Sequence, residues 1–284
     1  MLAIARGPKP RFSDFKVIRT AVSRLWRLFP PGPVKNRVGC AIYNLKQRAF
    51  RMRFEDGHYV VAYPTFDLRF VSNPYHLLKH NEEYTRFYQP KAGDIVVDAG
   101  AFVGTFGLFC AKLVGSGGKV FCFEPDPANY RELCQNIQLN GVSNVTAIPK
   151  GLWSSETVLS FRSDGSVGSS FVSKEGSGAL VEIPVTTIDD LAEREGLDGV
   201  DFIKMDIEGA EIEAITGARR CLGALRTHLA IASYHIVDGK QTYMSVEPQL
   251  AAIGIEPRTI HGLDIVTYAD PPATVAATIA SQPG

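Results

Sequence analysis

Acidic residues are nearly missing from the first fifth of this 284-residue chain: Met1 to Arg53 holds 13 Lys and Arg against one acid, Asp14. The whole chain has 30 basic and 30 acidic residues, so the remainder carries 17 and 29, a net charge of −12. A basic arm therefore precedes an acidic body. Cysteine is scarce as well. The five, at positions 40, 110, 122, 134 and 221, include no C-x-x-C pair. An odd number without framework spacing argues against a disulfide-stapled secreted fold and for a reducing compartment. No apolar run reaches the roughly 20 residues of a spanning helix. The basic N-terminus also lacks the continuous apolar segment of a cleaved signal, so the expected location is the cytoplasm. No internal repeat is visible.

What remains is the composition of an ordinary globular chain, 45% apolar and 21% charged with 26 glycines, long enough to bury a large core. Its organising stretch runs from Asp94 to Gly104, DIVVDAGAFVG. A short β-branched apolar run ends in Asp98, meets two glycines four apart, and passes at once into an apolar helical pattern, Thr105 to Val114. Such a strand–turn–helix leaves backbone exposed at a helix N-terminus, whose unpartnered amides attract anionic groups.

The elements around it alternate. Residues 1–13 read as a mobile basic lead. A helical pattern over 14–29 carries Phe15, Ile18, Val22, Leu25, Trp26 and Phe29 on one stripe, and Pro30-Pro31-Gly32-Pro33 ends it. That basic amphipathic helix suits either a place on the body, the favoured reading, or peripheral contact with an anionic membrane. Residues 49–71 alternate around Glu55-Asp56-Gly57 as a hairpin. Asn73 to Tyr88 reads as a helix on which His76, His80 and Tyr84 share a face, taken as capping or solvated rather than ligating. Strands are then expected at 94–98, 119–123, 144–149, 200–206 and 228–234, separated by helices at 105–114, 128–139, 186–191 and 207–222. That rhythm implies a parallel sheet built of βαβ units. A β-insertion interrupts it at about 156–186, with a Gly/Ser-rich tip over 163–178. A last helix and two short strands precede a flexible tail, 270–284. The expected division is thus a basic extension, 1–72, a main domain, 73–269, and the tail.

Two strand ends identify the cofactor. A dinucleotide fingerprint would place glycine where Asp98 stands, and a carboxylate there would repel a pyrophosphate. The same carboxylate suits a cationic amino group, such as that of S-adenosylmethionine, whose own carboxylate the amides after Gly100 could take. Glu124, ending the next strand, can accept both hydroxyls of a ribose. The candidate cofactor contacts are therefore Asp98, Gly100, Ala101, Phe102, Gly104 and Glu124, with Leu152 after the third strand and Asp206 after the fourth.

The segments VVDAGAFVG (96–104), FEP (123–125), LNG (139–141) and FIKMDIEGAE (202–211) resemble those of the FkbM-type methyltransferases. The resemblance covers roughly residues 73–269. It implies an α/β, Rossmann-like class I fold: a seven-stranded, mostly parallel sheet whose final strand runs antiparallel, with helices on both faces. It also implies an S-adenosylmethionine-dependent enzyme, several relatives being O-methyltransferases of sugars or polyketides. In an open α/β sheet the reacting groups gather beyond the strands' carboxyl ends. Asp206, Glu208 and His235 all fall there and are the candidate catalytic residues. Two mechanisms fit them. Either His235 or Asp206 is the general base, or the three hold a hard divalent cation such as Mg2+ that acidifies an acceptor hydroxyl. Glu211 reads as a helix-dipole residue only. The expected partner is a small-molecule or glycan acceptor. RNA methylation through the basic arm is disfavoured by the acidic body, and a membrane-binding protein on an inactive methyltransferase fold ranks last. Oligomeric state is left open.

Overall fold

The computed structural model describes residues 30–45, 49–163, 179–262 and 264–271. The expected helix at 14–29, the loop tip at 164–178 and most of the tail lie outside those residues.

The described chain begins with helix α1 (Pro33–Asn44), which starts on Pro33 after Gly32. Proline suits that first position because its missing N–H has no helical acceptor in any case. Three antiparallel strands follow, β1 (Arg51–Glu55), β2 (His58–Ala62) and β3 (Asp67–Phe70). The β1–β2 turn is the expected one: Asp56 and Gly57 both take positive φ, 50° and 80°. Helix α2 (Tyr75–Tyr84) then leads into the main sheet.

That sheet uses β4 (Ile95–Ala99), β5 (Lys119–Phe123), β6 (Val145–Ile148), β10 (Phe202–Met205), β11 (His228–Ala232), β14 (Pro257–His261) and β15 (Ile265–Ala269). Their order is β14-β15-β11-β10-β4-β5-β6, and β15 runs antiparallel to both its neighbours while the pairs from β11 to β6 are parallel. This is the α/β Rossmann-like class I methyltransferase fold. Helices α3 (Thr105–Val114) and α4 (Pro127–Asn140) connect the β4–β5–β6 half. On the other half are α5 (Ile188–Arg194), α6 (Glu211–Thr216), α7 (Arg219–Gly223) and α8 (Tyr243–Ala251). Two buried apolar clusters result, one around Phe106, Leu108 and Leu133, the other around Phe121, Ile203 and Ile231. The near-continuous apolar strands β4, β5 and β10 are buried because helices cover both faces.

The insertion consists of β7 (Gly151–Leu152), β8 (Thr157–Ser163) and β9 (Ala179–Thr186), which form their own sheet. A two-stranded hairpin, β12 (Ile236–Val237) with β13 (Lys240–Gln241), follows His235. The single helix expected over 207–222 is two short ones. Gly217 separates them because it lies against the Trp153 carbonyl and Thr187, where a side chain would not fit.

The strand order changes direction between β4 and β10, where successive connections leave toward opposite edges. A crevice opens beyond the strand ends at such a point.

Candidate active site at the carboxyl edge of the sheet

The cleft lies at that crevice, with about 980 Å³ of empty space, part of it open to solvent. Its cofactor side is built by the β4–α3 turn. Gly100 has φ 73°, and a Cβ there would overlap the Asp206 carbonyl oxygen, so only glycine lets the turn approach β10 so closely. Phe102 is held at φ 50°, its N–H donating to Glu124 Oε2 at 2.8 Å. Gly100 and Ala101 both donate their N–H groups to the Phe123 carbonyl, at 3.0 and 2.9 Å. The turn's amides are therefore engaged within the chain. Helix α3, by contrast, has no side-chain cap on its first turn, and Thr105 and Phe106 line the cleft. Its first amides are the better receptor for an anionic group.

Glu124 is 5% exposed. Besides Phe102, its carboxylate accepts the Asp126 N–H at 2.9 Å and the Asn129 side-chain amide at 3.4 Å. Burial pushes its pKa up to about 7, against the opposing pull of those hydrogen bonds. Ala101, Phe102 and Leu152 line the cleft beside it, as expected.

Asp98 and Gly104 do not line it. Asp98 is fully buried beneath the turn, and the cation it meets is Lys204, Nζ to Oδ1 3.0 Å. Register explains the pair: Lys204 stands directly opposite Asp98 across the β4–β10 ladder. The contact is ionic, its angle falling outside a hydrogen bond. Lys204 also donates to the carbonyls of Gly100 at 2.7 Å and Ala99 at 3.2 Å. Burial works against the ammonium, but Asp98 and Asp206 outweigh it and hold its pKa above the ordinary lysine value. Asp98 thus acts on the turn through Lys204. Gly104 sets the start of α3 in a left-handed conformation and packs against Leu133.

The other wall carries the candidate catalytic residues, which the fold brings together. His235 Nε2 lies 3.5 Å from Asp206 Oδ1 and 3.5 Å from Glu208 Oε2. Its other nitrogen, Nδ1, is 3.0 Å from Glu211 Oε1, an ion pair with imperfect hydrogen-bond angle. Glu211 is fully buried, and the same oxygen accepts the N–H groups of Ile207 and Gly209 at 3.2 and 3.3 Å. It therefore ties the loop carrying Glu208, itself at φ 56°, to the back of the imidazole. Burial lowers the imidazole's pKa, but Glu211, Asp206 and Glu208 together outweigh it and raise it to about 9. At neutral pH, with no cation between these groups, His235 is protonated.

Glu211 is therefore more than a helix-dipole residue. Two further partners come from parts of the chain with no motif. Tyr84 of α2 donates its hydroxyl to Asp206 Oδ2 at 2.9 Å, and Tyr234 reaches Asp206 Oδ1 at 3.4 Å. Burial first, then Asp206, holds the Tyr84 phenol well above its usual pKa, so it stays a donor. The 76/80/84 spacing was a signal for Tyr84, but a helix face gives no sign of which side packs inward. His76 is exposed, whereas Tyr84 is buried and His80 stands at the rim, 3.2 Å from Asp264.

The cluster of acids and imidazole fits a hard divalent cation, whereas Asp98, paired with Lys204 under the turn, is not placed to meet a cofactor's amino group. Asp206, Glu208 and His235 offer ligand atoms all within 4.8 Å of one another, and His235 Nε2 is buried without a hydrogen-bond partner among the described residues. No helix among those residues is long and apolar enough to cross a membrane.

Comparison with known proteins identifies the family to which this fold belongs. The chain is 30% identical to the hexuronic acid methyltransferase AglP of Haloferax volcanii, over 45% of this chain and 52% of that protein. It is 28% identical to the methyltransferase sdnD of Sordaria araneosa, over 43% and 59% of the respective chains. The chain thus spans between about half and three-fifths of the length of these relatives. A crystal structure of the methyltransferase FkbM from Methylobacillus flagellatus KT superposes with a TM-score of 0.50 at 22% identity, covering 68% of this chain and 50% of that one, a likeness of fold. The model of the methyltransferase FkbM domain matches residues 98–247, just over half of the chain and the whole span from Asp98 to the start of α8. The chain belongs to the FkbM methyltransferase domain family.

Proposed function

We propose that this protein transfers the methyl group of S-adenosylmethionine to a hydroxyl of a carbohydrate, glycolipid or secondary metabolite. The observation that carries the reading is the meeting of Asp206, Glu208 and His235 beside the cradle formed by the Gly100 turn and Glu124. The printed name of the Haloferax relative, a hexuronic acid methyltransferase, supports a sugar acceptor.

When bound, S-adenosylmethionine supplies an electrophilic methyl group. The chain's own residues would position it: Glu124 would accept its ribose hydroxyls, and the first amides of α3 would take its carboxylate. In-line transfer then needs an acceptor oxygen held close and relieved of its proton. Asp206 stands at the right wall for that, its carboxylate oriented by the Tyr84 and Tyr234 hydroxyls. His235, protonated as it stands, becomes neutral if a divalent cation joins Asp206 and Glu208. Glu211 behind Nδ1 then fixes its tautomer, the usual support for a metal-bound imidazole. Such a cation would lower the acceptor hydroxyl's pKa.

An acceptor screen following S-adenosylhomocysteine release tests both levels. Turnover with a sugar or glycoside that stops in EDTA and returns with Mg2+ is the expected result. Full turnover in EDTA would overturn the cation and leave Asp206 as the base. Failure to bind S-adenosylmethionine at all would overturn the assignment.

A further inference from the structure

Helix α1 has two unlike faces. Its inner face buries Gly39 and Cys40, and the Asn44 side chain brackets the Met52 backbone on β1 with hydrogen bonds of 2.7 and 2.8 Å. Its outer face holds Val34, Val38 and Leu45, which are 63%, 38% and 87% exposed, with exposed Ala41 between them. Steps of four, three and four residues align these on a single line down the helix. Exposed Arg37 flanks that line, and no acid occurs anywhere from Phe15 to Phe54.

We propose that this line is a docking face for an anionic lipid surface. An apolar stripe flanked by Arg37, on a segment without acidic residues from Phe15 to Phe54, is what the boundary between anionic headgroups and acyl chains accepts. The competing occupants are less suited. A second copy of α1 would set basic flank against basic flank. Residues 14–29 of the same chain could match the stripe with their own apolar residues, but would bring Lys16, Arg19, Arg24 and Arg27, against the single acid Asp14, beside the same basic flank. A nucleic acid would satisfy the charges and leave Val34, Val38 and Leu45 in water. An anionic bilayer satisfies both, and the basic arm preceding α1 supplies the second, electrostatic signal that a short helix needs for stable attachment. Helix α1 is joined to the cleft wall through α2. From the other side of α1, Tyr43 stacks on Tyr75 of α2 with ring centroids 3.8 Å apart. Helix α2 in turn supplies His80 and Tyr84 to the cleft wall.

The test uses the full chain and sedimentation with vesicles of phosphatidylcholine containing about one-third phosphatidylglycerol, against phosphatidylcholine alone. Binding is expected to the anionic vesicles only. The double variant Val38→Asn with Leu45→Asn, which leaves net charge unchanged, should weaken it by about tenfold with no change in melting temperature or oligomeric size. Equal sedimentation of variant and parent would overturn the proposal, assigning any binding to the arm's charge. A smaller assembly in the variant would assign the stripe to a second copy. A lower melting temperature would assign it to packing within the chain. Absence of binding to either vesicle also rejects it. S-adenosylmethionine affinity, measured in parallel, reports on the cleft independently of this face.

Discussion

At the scale of single residues, buried charge governs the cleft. The strand-end position of Glu124 in the cleft is legible in the sequence, but its environment is not. Burial among Phe102, Asp126 and Asn129 raises its pKa to about 7, because the charged form loses water that two backbone amides and one side-chain amide only partly replace. Two consequences of opposite sign follow. The folded chain binds a proton more readily than the unfolded chain between the ordinary carboxylate pKa and about 7. This group's contribution to stability is therefore present at acid pH and lost as pH rises through 7. If Glu124 accepts the ribose hydroxyls as proposed, donor binding requires its ionised form, and S-adenosylmethionine affinity should fall as pH drops below about 7, with a proton released on binding near that pH. Calorimetry in two buffers of different ionisation enthalpy measures that proton. Replacing Glu124 by Gln should abolish the pH dependence and weaken donor binding roughly 10- to 100-fold, as expected for loss of hydrogen bonds to a charged group. Unchanged affinity in that variant would remove Glu124 from the ribose site. At the opposite wall, the buried Glu211 shows what the motif hides. A carboxylate at a helix start reads as a dipole effect, and only packing reveals His235 behind it.

At the scale of elements, the β4–α3 and β10–α6 connections form one device. The Asp206 N–H bonds to the Ala99 carbonyl, Lys204 holds the Ala99 and Gly100 carbonyls, and Gly100 allows the two turns to touch. A methyl group at Gly100 meets backbone at a positive φ, where neither partner can yield. Gly100→Ala should therefore cost about 3 kcal/mol or more and lower the melting temperature sharply in a calorimetric scan. Retention of parent stability would mean that the turn is looser than described. Strands β4 and β10 and helix α3 stand within a residue or two of their expected positions, because apolar runs bounded by glycine define them locally, whereas α6 starts four residues later than expected. The break at Gly217 and the inward turn of Tyr84 were not legible. Both depend on contacts with segments distant in sequence, Trp153 for the first and Asp206 for the second.

At the scale of the whole molecule, two asparagines of α4 join the N-terminal sheet to the main sheet's helices and the β4–α3 turn. Asn136 is fully buried on α4. Its amide donates to the Val103 carbonyl in the cofactor turn at 2.8 Å, and its oxygen accepts the Val71 N–H beyond β3 at 2.9 Å. Asn140, one helical turn on, exchanges two hydrogen bonds with the Arg69 backbone. Either Asn136→Ala or Asn140→Ala should cost about 1–3 kcal/mol by leaving backbone groups unpaired. The two should differ in function. Asn136→Ala should also weaken S-adenosylmethionine binding, because it alone of the pair touches the turn, whereas Asn140→Ala should leave that binding unchanged. Equal effects on affinity would deny a specific link between the extension and the turn.

The sequence by itself determined the alternation of strands and helices, the glycine turn, Glu124, and the placement of Asp206, Glu208 and His235 at strand ends. Each is a local consequence of periodicity, backbone freedom or strand register. The tertiary structure decided which charges face one another. It placed Asp98 under the turn opposite Lys204 instead of in the cleft, set Glu211 behind His235, and brought Tyr84 to Asp206 from 122 residues away. Those outcomes follow from sheet order and burial, which fix the distance and the water content between groups that no local spacing relates.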